Sequence, residues 1–266
     1  MRDTPATKQS YYLEERREAI LQALNLDAKV RVSELSARFG VSAATIRKDM
    51  RALESTGKLR RTHGGAIPAR SSEIEERFEV AETTARDQKR RIGKAAAQLV
   101  SDGDVLFVQS GTTCLELTKA LIGKTGLTLI TSDLSIAIKA EEVLKDSTIV
   151  MLGGTLRCGY HYTQGPDALK QLEGYYAPTA FLCANAFSFE RGITAHRREQ
   201  ADWVNALIRS SDKHVLLLDS GKIGKSAPAR VTGLEPIDIF ITDNDASADI
   251  RAAFLEQAPD LEVIYA

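Results

Sequence analysis

Apolar positions change their period once along this chain. At first they recur three and four residues apart. From Leu13, the segment LEERREAILQALN sets Leu13, Ile20, Leu21 and Leu24 on one stripe of a helix whose other face is charged. A polar connection, Asn25–Arg31, follows. Ser33 offers the N-cap of a second helix in which Leu35, Ala37 and Phe39 turn inward, and Gly40 suits the left-handed residue that ends it. Val41 buries in the turn and Ser42 caps a third helix, anchored by Ile46, Met50 and Leu53 at i, i+4 and i+7. That helix is expected to end at Gly57, before a short strand and glycine turn over Lys58–Gly65.

Beyond the polar run IPARSS (67–72) and a charged stretch, Glu73–Lys94, the pattern becomes short and continuous. Ile74 and Phe78 in that stretch suit either a partner helix or an exposed connector, and Ile92, Ala96 and Leu99 begin a packed helix. Seven apolar runs then follow: VLFVQ (105–109), LTLIT (127–131), TIVML (148–152), AFLCA (180–184), HVLLLD (214–219), IFIT (239–242) and LEVIY (261–265). Helical stretches lie between most of them, at Leu115–Ile122, Leu134–Leu144, Gln200–Ser210 and Ala248–Glu256. Near-continuous apolar strands alternating with helices indicate a mostly parallel sheet covered on both faces. The expected organisation is a small domain over 1–66, a connection over 67–88 and an α/β domain over 89–266.

Charge sharpens this division. Residues 1–65 hold 13 Lys/Arg against 8 Asp/Glu, a net of +5, which leaves −6 on the remainder of a chain whose total is −1. A polyanion partner is therefore expected at the N-terminal end alone. No apolar run approaches the ~18 residues that span a bilayer, and MRDTPATKQS lacks a signal-peptide core. Cys114, Cys158 and Cys183 are odd in number and have no CxxC spacing, which argues against a disulfide framework and for a reducing cytoplasm. No HxxxH or HExxH spacing marks a metal, and no cofactor is expected.

Two stretches carry chemistry. In the third helix, Ser42, Ala43 and Ala44 are small enough for close approach to base edges, while Thr45, Arg47, Lys48 and Arg51 supply hydrogen bonds and charge. That arrangement suits the second helix of a helix-turn-helix entering the major groove. Lys58, Arg60, Arg61 and His63 would form a wing over the DNA backbone or minor groove. Asp49 would repel phosphate unless paired, so a nearby arginine is expected beside it.

The second stretch is the set of loops leaving the carboxyl ends of the strands, where parallel sheets bind ligands. They read Ser110-Gly111-Thr112-Thr113, Thr131-Ser132-Asp133, Gly153-Gly154-Thr155 with Arg157, and Asp219-Ser220-Gly221-Lys222. Glycine amides at a helix N-terminus, flanked by hydroxyls and a lysine, make an anion cradle. Each alone is an ordinary strand-to-helix turn; together they favour a phosphate-bearing ligand. His161 and His196 flank this edge, and His214 begins a strand as a structural residue.

The run VSAATIRKDMRALESTGKLRRTHGGA closely resembles the winged helix-turn-helix signature of the DeoR family of bacterial regulators, over roughly Glu14–Ala66. SGTT, LGGTLR, the GIT segment and DSGKIG fall where the sensor domains of that family carry comparable motifs. The resemblance implies operator DNA bound by a homodimer or homotetramer, usually to repress a carbohydrate gene cluster. It also implies a sensor domain similar to ribose-phosphate isomerase and CoA-transferase folds, with a phosphorylated sugar as effector. On this chain Gly111, Thr112 and Thr113 would hold the phosphate, with Lys222 as countercharge.

Departures from the family pattern lie at the sugar end. Gln109 stands where an acid is usual, Ser132 where Asn is common, Ala184-Asn185-Ala186-Phe187 where a glycine-rich acidic segment is common, and Trp203 where a lysine is common. An unusual sugar phosphate is the resulting expectation, with Trp203 or Phe187 stacking on a ring; Trp203 reads equally as core. The expected effector residues are Ser110, Gly111, Thr112, Thr113, Thr131, Ser132, Asp133, Gly153, Gly154, Arg157, Asn185, Trp203 and Lys222. No catalytic residue is assigned. The alternative, a sugar-phosphate isomerase or transferase with an accessory DNA-binding domain, needs a carboxylate base, for which Asp133, Glu199 and Asp219 remain.

Overall fold

A computed structural model describes residues 13–27, 30–55, 58–68 and 75–266, in two compact units, Met1–Ile74 and Glu75–Ala266. The first contains α1 (Leu13–Asp27), β1 (Val30–Arg31), α2 (Val32–Phe39), α3 (Ala43–Ser55), β2 (Leu59–Thr62) and β3 (Gly65–Pro68). The three strands form an antiparallel sheet in the order β1-β3-β2. Ile20, Leu24, Leu35, Phe39, Ile46, Met50, Leu53 and Leu59 make its core. Each such side chain contributes ~1.5–3 kcal/mol by leaving water. Gly40 ends α2 in the left-handed conformation, at φ +64°.

Four details of this unit differ from expectation. Leu13 is 47% exposed because the inward place on the first turn belongs to Arg16, whose Nε donates to Asp49 Oδ2 at 2.7 Å. The arginine partner expected for Asp49 is thus Arg16, with Arg17 Nε 3.6 Å from the other oxygen. Helix α1 continues to Asp27, and Val30–Arg31 pairs with Ala66 and Gly65 instead of forming a loop. Ser33 is not the N-cap: α2 starts two residues earlier, with Arg31 in that place, and the N–H of Val32 donates to Gly64 O at 2.9 Å, so the wing satisfies that amide. Ala37 is exposed, as a residue two positions from Leu35 must be on a helix. The expected end of α3 at Gly57 and the expected linker residues 69–72, like Ile74, lie outside the described residues; Ile67 and Pro68 belong to β3.

The second unit opens with α4 (Phe78–Thr83) and α5 (Arg86–Ala97), separated by Ala85 in the left-handed conformation. Then come β4 (Val105–Val108), α6 (Thr112–Ala120), β5 (Thr128–Thr131), α7 (Leu134–Val143), β6 (Thr148–Met151), β7 (Thr155–Arg157), β8 (Tyr162–Gln164) and α8 (Pro166–Leu172). The chain continues through β9 (Ala177–Cys183), β10 (Ala186–Ser188), β11 (Gly192–Ala195), α9 (Arg198–Arg209), β12 (Ser211–Leu217), β13 (Ala229–Thr232), β14 (Ile239–Thr242), α10 (Ala248–Gln257) and β15 (Glu262–Tyr265).

All seven expected runs are strands of one sheet, in the order β15-β14-β12-β9-β4-β5-β6, and every pairing is parallel. Alternate residues face opposite cores: Leu106 and Val108 join Ile92, Leu117 and Ile241, while Phe107 joins Leu182, Phe187 and Phe240. Both faces are therefore covered. The hairpin β7–β8 and the small antiparallel sheet β10-β11-β13 were not expected; their strands have three or four residues, too few to show a period.

Candidate functional site

On the first unit, Ser42 caps α3 by accepting the N–H of Thr45 at 3.1 Å, with the Thr45 hydroxyl 2.9 Å away. Ala44, Arg47, Lys48 and Arg51 are exposed, and Ala43 and Thr45 half-buried, so the cationic face is open to a partner. Lys58, Arg60 and His63 are exposed on the wing. Arg61, also exposed, makes contacts within the unit. Its Nε lies 2.6 Å from Glu54 Oε2 and its amide donates to Oε1 at 2.9 Å, tying β2 to α3. The Arg61 amide and guanidinium hold the Glu54 carboxyl below its ordinary value.

On the second unit, parallel strands bring several loops to one edge. Gly111 is the N-cap of α6 at φ +139°, a conformation closed to other residues, and a Cβ there would lie 3.4 Å from the Cβ of Cys183. Its N–H donates to Asp133 Oδ2 at 3.2 Å. Asp133 caps α7 through Ser135 and Ile136, and burial pushes its carboxyl up to about 6 against the pull of those three amides. Thr113 and Ser132 are buried, and the Thr112 hydroxyl reaches Ala81 O at 3.4 Å. Thr131 Oγ1 accepts the amide of Asp133 at 3.1 Å, and Ser110 is half-buried. Lys222 Nζ lies 3.4 Å from Ala184 O and 3.5 Å from Asp219 Oδ2.

Asn185 accepts the backbone N–H of His196 at 3.1 Å. Burial, then Lys222 and Arg157, push the His196 imidazole down to about 4, so this ring is neutral at physiological pH. The folded state refuses a proton that the unfolded chain accepts below about 6.5. His196 therefore withdraws stability as pH falls from about 6.5 to about 4. An anion placed against Lys222 and Arg157 should raise the His196 midpoint toward its ordinary value. An NMR titration with and without a bound anion checks this, and an unmoved midpoint would separate His196 from those cations.

Other expected residues take structural parts. Gly153 donates to Gln171 Oε1 at 2.9 Å, and a Cβ on Gly154 would meet Gln164 O at 2.7 Å, so both serve the turn into β7 and its packing on α8. Phe187 is fully buried against Phe189, Phe240 and Phe254 and cannot stack on a ligand. Trp203 is 7% exposed and packs in the same core, which corrects the ring-stacking expectation in favour of the core one. His161 is stacked on Phe78 at 4.2 Å and bonded to Ser135 at 2.9 Å. His214, buried, sits 2.6 Å from Pro236 O, as its structural reading required.

Lys89 was missed. It is 2% exposed, its Nζ donates to Ala81 O at 2.7 Å, and burial with the nearby Lys222 pushes its amine down to about 8. The signal was its place with Ile92, Gly93 and Ala96 at i, i+3, i+4 and i+7, hidden within a run of charges. Glu75, Tyr162 and Gln200 were missed as well; Glu75 and Tyr162 meet Arg157, and Gln200 donates to Glu75. The carboxylates that an isomerase would need are engaged: Asp133 by three amides, Asp219 beside Lys222, and Glu199 by Arg197 at the surface. Gln109 receives the N–H of Cys183 at 2.8 Å, extending the bonding between β4 and β9.

A capped cationic helix with a wing, in a chain whose other unit gathers cations and hydroxyls at a sheet edge, defines a helix-turn-helix regulator with a sensing unit. Residues 16–72 match the DeoR-like helix-turn-helix domain and residues 84–244 the DeoR C-terminal sensor domain. The chain is 33% identical to the HTH-type transcriptional regulator GlpR of Haloferax volcanii, over 89% of this chain and 92% of that protein. It is 33% identical to the lactose phosphotransferase system repressor of Streptococcus mutans, over 86% and 92%. Its fold overlaps ribose 5-phosphate isomerase A from Neisseria gonorrhoeae at a TM-score of 0.40, with 16% identity over 54% of this chain and 56% of that one. The protein belongs to the DeoR family and is a DNA-binding transcriptional regulator. Among the described residues no helix is long and apolar enough to cross a membrane, and no group of His, Cys, Asp and Glu could hold a metal ion.

Proposed function

We propose that this regulator represses a carbohydrate gene cluster and releases its operator when a phosphorylated sugar binds at the carboxyl edge of the sensor sheet. The observation that carries this reading is the meeting of the Gly111–Thr113 turn with Lys222 and Lys89. Thr112 and Lys89 share Ala81 O, Gly111 lies against Cys183, and Lys222 reaches Ala184 just beyond it. Two cations, a hydroxyl and a helix N-terminus suit a phosphate dianion. The lactose phosphotransferase system repressor among its relatives supports the sugar. Ser42–Thr45, Arg47, Lys48 and Arg51 would read the operator, with Lys58, Arg60 and His63 on its backbone, in a homodimer or homotetramer that presents paired reading heads.

A gel-shift on the upstream region of its own gene, with sugar phosphates added, tests the reading. Arg47→Ala or Lys48→Ala should weaken operator binding about tenfold through a lost contact of the reading helix. Thr112→Val and Lys222→Met should abolish the response to sugar phosphate while operator binding persists. Retained response in both of the latter variants would remove the effector from this edge.

A further inference from the structure

Arg157, at the end of β7, is already holding an anion. Its guanidinium donates to a carboxylate oxygen of Glu75 and to the hydroxyl of Tyr162, and it lies 3.6 Å over the ring of Tyr160. The other oxygen of Glu75 accepts from the Tyr162 hydroxyl at 3.3 Å and from the side-chain amide of Gln200. Three elements, β7, β8 and α9, thus contribute an arginine, a phenol and an amide to one seat. Side chains of Arg157 and Glu75 are only 16% and 10% exposed. Donors converging from separate elements on a single carboxylate make a built anion site, because such charge-assisted bonds are strong and directional.

The occupant is unusual in its position. Glu75 is the first residue of the second unit, and the chain before it leads to the wing. The residues just after it lie over the candidate effector edge. Phe78 donates its amide to Gly159 O at 3.0 Å and stacks on His161, and Ala81 O receives Lys89 Nζ and the Thr112 hydroxyl. One short run of chain is therefore tied at Arg157 by its carboxylate and at the Gly111–Thr113 turn by a carbonyl.

We propose that Arg157, Tyr162 and Gln200 form a second anion-binding subsite, opposite the phosphate cradle, and that Glu75 is its resident pseudo-ligand. Resting on the effector reading above, the proposal adds that an effector's second anionic group takes this seat by expelling Glu75. Expulsion frees Glu75 at the start of the second unit, which gives ligand occupancy a differential effect on two states of the protein. A seat filled internally most of the time lowers apparent anion affinity in proportion to the fraction left open, about tenfold for an opening of about one part in ten.

The test uses inorganic phosphate and the full chain, titrated by calorimetry. Glu75→Gln keeps the shape of the side chain and removes its charge. It should bind phosphate about tenfold more tightly than the unaltered protein, and its operator affinity without any effector should change by at least about fivefold. In the double variant Glu75→Gln/Arg157→Gln the gain in phosphate affinity should vanish. An unchanged phosphate affinity in Glu75→Gln overturns the proposal, and so does a gain that survives loss of Arg157. Unchanged operator affinity, with melting temperature intact, reduces Glu75 to a local prop and also overturns it. Because neither Thr112 nor Lys222 is altered and no sugar is present, failure here is distinct from failure of the sugar-phosphate reading.

Discussion

Replacing Asp49 with alanine is expected to cost the DNA-reading unit about 3–5 kcal/mol, the usual penalty for stranding one side of a buried ion pair. Asp49 is 1% exposed, Arg16 Nε is 2.7 Å away, and Arg17 Nε faces its other oxygen. Without the carboxylate, Arg16 loses its 2.7 Å partner beside a small core, and that core has little stability to lose. The single tryptophan, Trp203, belongs to the other unit, which makes the expectation easy to read. Circular dichroism should show an early loss of helix while the Trp203 fluorescence transition stays where it was. A single transition at the original temperature by both probes would show that Asp49 contributes little. Operator binding should fail in the variant at any temperature above the first transition.

The second large effect is expected at Gly93. A Cβ built there would lie 2.5 Å from the carbonyl carbon of Glu116 and 2.6 Å from the amide nitrogen of Leu117, both main-chain atoms of α6. Neither can step aside as a flexible side chain would, so Gly93→Val must push α5 and α6 apart. Overpacking of a core costs about 1–3 kcal/mol and more where backbone has to move. For a unit of this size about 3 kcal/mol lowers the melting temperature by roughly 6–12 °C. Trp203 fluorescence reports that transition directly. Helix α6 begins at the Gly111–Thr113 turn, so any sugar-phosphate response should be lost below the melting temperature too. An unchanged melting temperature in Gly93→Val would mean that the helices tolerate separation.

What the sequence disclosed and what it withheld divide along physical lines. The sheet strands were legible because a strand buried on both faces has no polar positions to interrupt it: VLFV, TLIT and IFIT could hardly be anything else once helices lay between them. The recognition helix was legible because Ile46, Met50 and Leu53 repeat on one face while Arg47, Lys48 and Arg51 occupy the other. The polar interior was not. Lys89 lies in a run of charges that looks solvated, and only the tertiary approach of Ala81 O and Lys222 makes it a buried cation. Glu75 and Arg157 stand far apart in sequence, and nothing local announces that one will hold the other. Phe187 shows the opposite failure, since an aromatic beside a pocket loop invites a stacking role. The alternation of β10 sends it instead into a cluster with Phe240 and Phe254.

The clamp between Arg61 and Glu54 has a consequence for the DNA rather than for the protein. It joins the wing to the recognition helix, and two further bonds brace the same body: Lys58 N–H to Leu53 O at 2.9 Å, and Val32 N–H to Gly64 O. Helix and wing therefore work as a caliper of fixed opening. On the proposed reading, a half-site must offer bases to the helix and backbone to the wing at one set interval. Changing a base under the helix alters how well the jaws grip, whereas inserting a base pair between the two contacts takes one of them out of reach. Operators of this protein should accordingly vary in letter more freely than in length.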